Sequence, residues 1–408
     1  MKLIWQSPTV RSMVVYALSG IGFTGSNLIL ARVLPTEQYA LFTLVIALGN
    51  LGYALAPAGL DGVVTRRHLE PGPRLFNSTL AVSTLIGLVF GLIGMESYGM
   101  SAALAFMLFL SSAAGGLMVV ASARFQSEQR FSRSLLLGQS PNIVLLAAAL
   151  VSVLAHESGA WLPVLISTIG FVVAAWIGWV MLARERRKRH APAEGPFAWS
   201  EALAFAGMNA SGLVLIQLER LVIPHALPLA DLALFGVLGA IAGSVYRVMQ
   251  MGVGFSLLPR LRAAEDVLQR RRLVFHEARL VGAMAVVGSL AVWFGTPLVE
   301  RYLLAGKYHL PGSLLVAAIV SGIGKIANAF SKATASAVAD PRELSLVNLT
   351  GWISVALGVV GALFGAHWWG LTGLIYGVAV GWFLRAAIAF VLVGRHLRLP
   401  VSIPATAP

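Results

Sequence analysis

Seven charged side chains lie inside otherwise apolar segments. No other residues of this sequence indicate a chemical role more clearly. Six are cations and one is an anion. A charge at the centre of a bilayer costs about 2.5–3.5 kcal/mol on insertion scales, so such residues usually face the protein interior or a wet cavity. Structural ion pairs would bring the two signs close to balance, so the excess predicts a cavity suited to an anion. The seven residues are Arg32, Glu219, Arg220, Arg247, Lys325, Lys332 and Arg385.

The composition defines the class of protein that must hold these charges. Of 408 residues, 58% are hydrophobic and 12% are charged, and the mean hydropathy is +0.81. A soluble domain carries about 25% charged residues, so this chain is predicted to be a polytopic membrane protein. The absence of cysteine excludes disulfides, thiol catalysis and zinc–thiolate sites.

Apolar segments of about 20 residues are long enough to cross a bilayer, and the sequence contains twelve. Each boundary is defined to within a few residues. The predicted spans are 12–34, 38–60, 77–95, 100–122, 135–155, 160–183, 202–224, 231–255, 280–299, 312–336, 344–364 and 370–393.

Basic residues alternate between the connections in a way that predicts the orientation of the chain. The connections after every second span, together with both tails, hold 22 of the 30 Lys and Arg, whereas the opposite connections hold Arg301 and Lys307. The positive-inside rule therefore places both termini in the cytoplasm. The same rule accounts for the net charge of +13, so we predict no nucleic-acid partner. A helix lying in the inner interface is predicted at 260–279, where basic and apolar residues mix.

A weak internal repeat indicates how the spans are grouped. Positions 39–67 match positions 232–260 at seven places without a gap, including Phe42 with Phe235 and Tyr53 with Tyr246. Spans one and seven both start inside, so the two halves share an orientation. The predicted fold is all-α, with two six-helix lobes related by a pseudo-twofold axis along the membrane normal. The N-terminal lobe is predicted at 1–190, a cytoplasmic linker at 191–198 and the C-terminal lobe at 199–408.

The direction in which each span crosses the membrane indicates the depth of its charged residue. A long side chain near a span end can also snorkel to the interface, which is the structural alternative for each cation. Candidate charge partners or coupling residues are Glu219, next to Arg220, and Asp61, at a span end. The cations are predicted to line one central cavity, with Arg32 and Arg220 at its outer end, Lys325 near the middle, Arg247 and Arg385 deeper, and Lys332 at the inner end.

Other chemistry has little support in the sequence. Gly324-Lys325 is followed by Ile326 and lacks the spacing of a phosphate-binding loop. The eight histidines lie in connections or at span edges, none at metal-ligand spacing. The predicted outer connections are short, whereas a membrane enzyme acting on sugars would need a larger outer domain. We therefore predict a transporter without a cofactor or metal.

Several short motifs resemble those of the polysaccharide transporters, the O-antigen and exopolysaccharide flippases of the multidrug/oligosaccharidyl-lipid/polysaccharide (MOP) exporter superfamily. They are the Leu-Ala-Arg-Val-Leu turn at 30–34, the segment 37–42, the Gly-Leu-Asp exit at 59–61 and Gln-Leu-Glu-Arg at 217–220. Family members often have Asp where this chain has Glu219. The chain also lacks the two extra helices of the lipid II flippase branch.

The resemblance implies movement of an undecaprenyl-diphosphate-linked oligosaccharide across a bacterial inner membrane by alternating access. It also implies membrane lipid and a polysaccharide polymerase or other assembly proteins as partners. Two alternatives stay open. A cation-coupled drug exporter of the same fold would be expected to carry more intramembrane acids. A membrane-embedded sugar ligase or glycosyltransferase would need outer carboxylates.

Overall fold

A computed structural model describes residues 8–189, 199–263, 266–338 and 341–396 of the chain, and these residues form helices joined by short connections. A π-helical turn, Val299–Leu303, follows the tenth helix. The helices are α1 Pro8–Val33, α2 Thr36–Leu55, α3 Leu60–Arg67, α4 Pro73–Tyr98, α5 Ala102–Ser127, α6 Phe131–Leu154, α7 Trp161–Arg189, α8 Trp199–Ala226, α9 Leu229–Ala263, α10 Val267–Leu298, α11 Gly312–Val338 and α12 Pro341–His396.

The helices confirm the prediction of an all-α membrane protein. Among the described residues, ten helical segments are long and apolar enough to cross a bilayer. The last of them is the greater part of α12. The backbone of α12 leaves helical geometry at Trp369 and Gly370, which divides the helix into two arms. The break lies where the sequence separates spans eleven and twelve, and α1 contains span one.

Glycine explains the exit from α2. The chain turns sharply after Leu55 and enters α3 through Gly59, whose φ of +81° is one that residues with a side chain rarely adopt. A Cβ on Gly59 would also overlap the backbone of Ala202 in α8. The Gly-Leu-Asp motif therefore combines a tight turn with a close helix contact.

The predicted interfacial helix at 260–279 is wrong. Residues 260–263 end α9, and Val267 begins α10, which continues to Leu298 without a break. At 1.5 Å per residue, its 32 residues extend about 48 Å, more than the roughly 30 Å hydrocarbon core. The basic residues therefore lie on the end of a spanning helix. The basic run 184–189 is likewise the helical end of α7.

The structure divides into two compact units. Unit 1 comprises 1–244 with 297–311, and unit 2 comprises 245–296 with 312–408. These limits differ from the lobe boundaries expected from the sequence, and the lobe assignment stays a prediction. The proposed linker 191–198 and the terminal residues 1–7 and 397–408 lie outside the described residues.

The internal repeat has counterparts in the packing of each unit. In unit 1, Tyr53 of α2 packs where Gly115 of α5 has no side chain; in unit 2, Tyr246 of α9 packs in the same way on Gly322 of α11. The two tyrosines are equivalent in the repeat, and the two glycines belong to corresponding spans. The repeated residues thus make equivalent contacts.

A further contact lies between α2 and the first part of α9, both within unit 1. A Cβ on Gly236 would lie 2.6 Å from Oγ1 of Thr43, and these two positions are equivalent at the offset of 193. Contact between equivalent positions is expected for residues near a twofold axis. This packing supports a pseudo-twofold axis that passes between α2 and α9.

One end of unit 1 contains several ion pairs, of which those of Arg124 are the most buried. Arg124, 3% exposed, donates to the main-chain oxygen of His68 at 3.0 Å and to the carboxylates of Glu70 at 2.9 Å and Glu128 at 3.0 Å. Nearby connections are tied by further pairs, namely Arg66 and Arg67 with Glu201, and Arg130 and Arg133 with Glu185. The predicted cytoplasmic connections of unit 1 that hold these residues thus meet at one end of that unit.

We expect reporter fusions after Arg187 and after Lys307 to show opposite locations. Arg187 lies in the last turns of α7, among the basic residues that should stay inside, and Lys307 lies in the sparsely charged connection before α11. Paired alkaline phosphatase and fluorescent-protein fusions at each site measure this. The same location for both positions would contradict the predicted orientation.

Candidate functional site

Three of the predicted cavity cations lie around one junction of helices in unit 2. The ring of Tyr246 in α9 packs on Gly322 of α11, and Gly324 of α11 packs on Trp382 and Phe383 in the second arm of α12. Arg247 follows Tyr246 directly, Lys325 follows Gly324 directly, and Arg385 lies three residues after Trp382. One helical turn rises about 5.4 Å, so Arg247 is within one turn of the α9–α11 contact, and Lys325 and Arg385 are within one turn of the α11–α12 contact. We call this arrangement the α9–α11–α12 junction.

The side chains of this junction are an aromatic ring and several cations. The ammonium nitrogen of Lys325 lies 5.9 Å from the centroid of a Trp382 ring, a cation–π distance. Arg385 is 4% exposed, and Lys325 and Arg247 are half-buried. Lys332, further along α11, is exposed. Positive charge at the junction favours an anion beside it.

A polar stripe along α11 contains Lys325. Ser321, Lys325, Asn328 and Lys332 follow each other at intervals of four, three and four residues, and this spacing aligns side chains on one face of a helix. Ser321 and Asn328 are buried, whereas Val316 and Ile323, on the opposite face, are 41% and 38% exposed. Lys325 therefore lies on the side of α11 away from its exposed apolar face.

The outer-end cation Arg220 has local contacts in unit 1. Its guanidinium donates to Oε1 of Gln217 at 3.0 Å and lies 5.9 Å from the centroid of the Phe235 ring. Gly239, one turn beyond Phe235, leaves room for it, since a Cβ there would lie 3.1 Å from Nη2 of Arg220. The neighbouring Glu219 is 1% exposed. Arg220 thus packs across α8 and α9.

Arg32 lies exposed at the end of α1, and an unexpected residue binds beside it. The ammonium of Lys307 donates to the main-chain oxygens of Ala31 at 2.9 Å and of Leu34. Because the last carbonyls of a helix have no intrahelical partner and carry partial negative charge, a lysine there is stabilising. The 304–310 segment is thereby fastened to the end of α1. In the sequence, Lys307 was notable as one of two cations in the predicted outer connections.

Replacing Lys307 with alanine is expected to loosen this segment without unfolding the protein. A hydrogen bond from a charged group contributes about 1.5–3 kcal/mol, so amide hydrogen exchange in 304–310 should accelerate by about tenfold or more. Arg301→Ala is the matched control, because Arg301 is exposed and lies over the ring of its neighbour Tyr302. Equal exchange in the two variants would show that Lys307 does not hold the segment.

Asp61 lies apart from these cations along the chain, in the first turn of α3. Burial raises the pKa of its carboxyl above the usual range, while the main-chain amides of Gly62 and Asp61 partly oppose that rise. A carboxyl with a raised pKa takes up a proton more readily, so Asp61 stays a candidate coupling residue.

The predicted site residues are divided between the two compact units. Arg247, Lys325, Lys332 and Arg385 belong to unit 2, and Arg32, Asp61, Glu219 and Arg220 belong to unit 1. A single cavity lined by all six cations stays a prediction. Sequence reasoning missed Ser321, Asn328 and Trp382. The spacing of the polar stripe was a visible signal for the first two, whereas Trp382 is indistinguishable in sequence from other apolar residues of its span.

Comparison with known proteins gives the class of fold. No family model matches the sequence, and no curated protein matches it. An inward-facing multidrug resistance MATE family transporter of the MOP superfamily is 14% identical with a TM-score of 0.62, covering 94% of this chain and 98% of that one. The lipid II flippase MurJ, in an inward closed conformation, is 11% identical with a TM-score of 0.67, covering 94% and 87%.

A eukaryotic MATE transporter is also similar, with 15% identity and a TM-score of 0.54, covering 94% of this chain and 96% of that one. At such identities the likeness establishes the fold alone. The chain therefore has the MATE- and MurJ-like fold of the MOP superfamily, which confirms the predicted fold class.

Proposed function

We propose that this protein is a flippase for an undecaprenyl-diphosphate-linked oligosaccharide in the bacterial inner membrane, serving O-antigen or exopolysaccharide biosynthesis by alternating access. The observation that carries the proposal is the α9–α11–α12 junction, where Arg247 adjoins the contact of α9 with α11 and both Lys325 and Arg385 adjoin the contact of α11 with α12. Cations that are partly shielded from water attract a mobile anion more strongly than cations in water do.

The junction suits a diphosphate better than a simple carboxylate. Guanidinium groups match phosphate oxygens with two parallel hydrogen bonds, and Lys325 adds a point charge. A fold shared with the lipid II flippase MurJ also supports a lipid-linked substrate.

Transport would be driven either by an ion gradient or by consumption of the substrate on the outer face. Glu219 and Asp61 are the candidate coupling residues, the first because it is almost fully buried beside Arg220 and the second because burial raises the pKa of its carboxyl. A polysaccharide polymerase or another assembly protein would receive the product outside.

A reconstituted assay tests the proposal directly. The purified chain is placed in liposomes with a fluorescent undecaprenyl-diphosphate oligosaccharide, and an impermeant quencher reports how much substrate reaches the outer leaflet. We expect rapid translocation with the diphosphate substrate and little with the same polyprenyl saccharide lacking the diphosphate. Protein-free liposomes are the background control.

The drug exporter is the alternative that the shared fold with MATE transporters supports. The same liposomes, loaded with a fluorescent cationic drug under a proton or sodium gradient, test this alternative. Drug efflux without translocation of the diphosphate lipid would replace the proposed function. Translocation of both the diphosphate lipid and its neutral analogue would contradict the role of the cations.

A further inference from the structure

Unit 1 contains a large groove far along the chain from the α9–α11–α12 junction. It lies between α4 and α7, with α5 as its floor, and has a volume of about 1020 Å³. Its walls include Phe76 and Leu80 from α4 and Val172 and Trp176 from α7. The edge of Phe76 packs on Trp179 with the ring centroids 5.0 Å apart, and the Trp179 indole donates to the main-chain oxygen of Leu117 at 3.0 Å. The groove is thus built on fixed aromatic rings.

The groove opens towards the lipid. Leu80, Val172 and Trp176 at its rim are 39%, 37% and 66% exposed, as expected for side chains that contact acyl chains in a membrane. From Val172 to Arg186 the wall follows fourteen residues of α7, a length of about 21 Å. One leaflet of hydrocarbon is about 15 Å thick and its headgroup layer adds several ångströms. The groove therefore matches one leaflet in length.

Positive charge is confined to one end of the groove. Arg186 and Arg187 line it there, and the main-chain oxygen of Pro71 accepts a hydrogen bond from Arg186 at 3.2 Å. Arg187 is exposed. Among the described lining residues there is no Asp or Glu. Basic pockets between spanning helices on the cytoplasmic side bind the headgroups of anionic lipids.

We infer that this groove binds one anionic phospholipid of the cytoplasmic leaflet, with its phosphate at Arg186 and Arg187 and an acyl chain along Phe76, Leu80, Val172 and Trp176. The charge pattern favours this occupant over a neutral lipid, and the single-leaflet length favours it over a ligand that crosses the membrane. The inference does not depend on the proposed function, because it concerns a lipid-facing surface within unit 1.

Native mass spectrometry of the full chain tests the inference. The purified protein is mixed in detergent with phosphatidylglycerol or phosphatidylcholine of the same acyl chains, and the retained lipid is counted. We expect the wild type to retain phosphatidylglycerol preferentially. Arg187→Gln should reduce that retention about fivefold, because that is the usual contribution of one basic residue to binding at an anionic lipid surface. The matched control is Arg184→Gln, since Arg184 is exposed on the same helix and does not line the groove.

A second pair of variants tests the acyl chain. Val172→Trp should fill the groove and reduce retention of phosphatidylglycerol. Val173→Trp should not, because Val173 is similarly exposed at 46% but does not line the groove. Both variants place their new ring on an exposed position, so both should fold.

Three results would overturn the inference. Equal retention by Arg187→Gln and Arg184→Gln, or by the two tryptophan variants, would indicate ordinary annular lipid. Equal retention of the two phospholipids by the wild type would exclude selection by charge. Displacement of phosphatidylglycerol by an equimolar polyprenyl diphosphate would identify the groove as part of a substrate path.

Discussion

Lys325→Ala is expected to lower translocation of the diphosphate lipid by about 10- to 150-fold while the protein remains folded. The range corresponds to loss of a charge-assisted contact of about 1.5–3 kcal/mol. Lys325→Glu should lower it further, because a carboxylate at the α9–α11–α12 junction would repel the diphosphate. The liposome assay measures both rates, and chromatographic homogeneity in detergent checks folding.

Arg395→Glu is the matched control for these charge changes. Arg395 is an exposed arginine on the same arm of α12 as Arg385, ten residues further along, and its replacement should leave the rate close to wild type. Normal translocation by a folded Lys325→Ala, Arg385→Ala double variant would contradict the proposed role of the junction.

A conservative change at Arg247 separates two kinds of phosphate recognition. A bidentate guanidinium contact should be lost in Arg247→Lys, since an ammonium acts as a point charge and cannot offer the same fork. A general positive potential should instead tolerate the change. The ratio of the Lys and Ala rates therefore distinguishes a directed contact from electrostatic attraction.

Gly365→Val and Gly377→Val are each expected to cause a large loss of stability. The two arms of α12 cross at Gly361 against Gly377 and at Gly365 against Gly373. A Cβ at any of these positions would meet backbone of the other arm inside 3.0 Å, a separation that real Cβ atoms essentially never breach. Small residues spaced by four let spanning helices approach this closely.

Because backbone cannot rotate away as a side chain can, we expect each valine to cost more than about 3 kcal/mol, at or beyond the upper range of overpacking. Thermal unfolding in detergent and the yield of membrane-inserted protein measure the effect. Gly394→Val is the control, since nothing lies within 4 Å of a Cβ there on the same arm. A valine at 365 or 377 that unfolds at the same temperature as this control would show that the arms do not cross so closely.

Much of this architecture could be predicted from the sequence, for local reasons. Each spanning helix needs a long apolar run whatever its neighbours are, so hydropathy located the segments, and the Gly-Leu-Asp motif at 59–61 marked the exit from one of them. The repeated tyrosines, Tyr53 and Tyr246, lie against glycines of corresponding spans. The excess of intramembrane cations was also visible, because an unusual residue type in an apolar segment needs no structure to be noticed.

Tertiary structure decided which of those residues meet. Lys307 binds the end of α1 across 276 residues of chain, and Lys325 lies against Trp382 because α11 and the second arm of α12 pack at Gly324. The groove between α4 and α7 likewise requires α5 to lie behind both helices. A hydropathy pattern indicates that a segment spans the membrane but does not indicate which helices it packs against, since lipid solvates every apolar face equally well. The faces that pack together are determined by small residues, charge-assisted hydrogen bonds and aromatic contacts. These act between residues far apart in the chain.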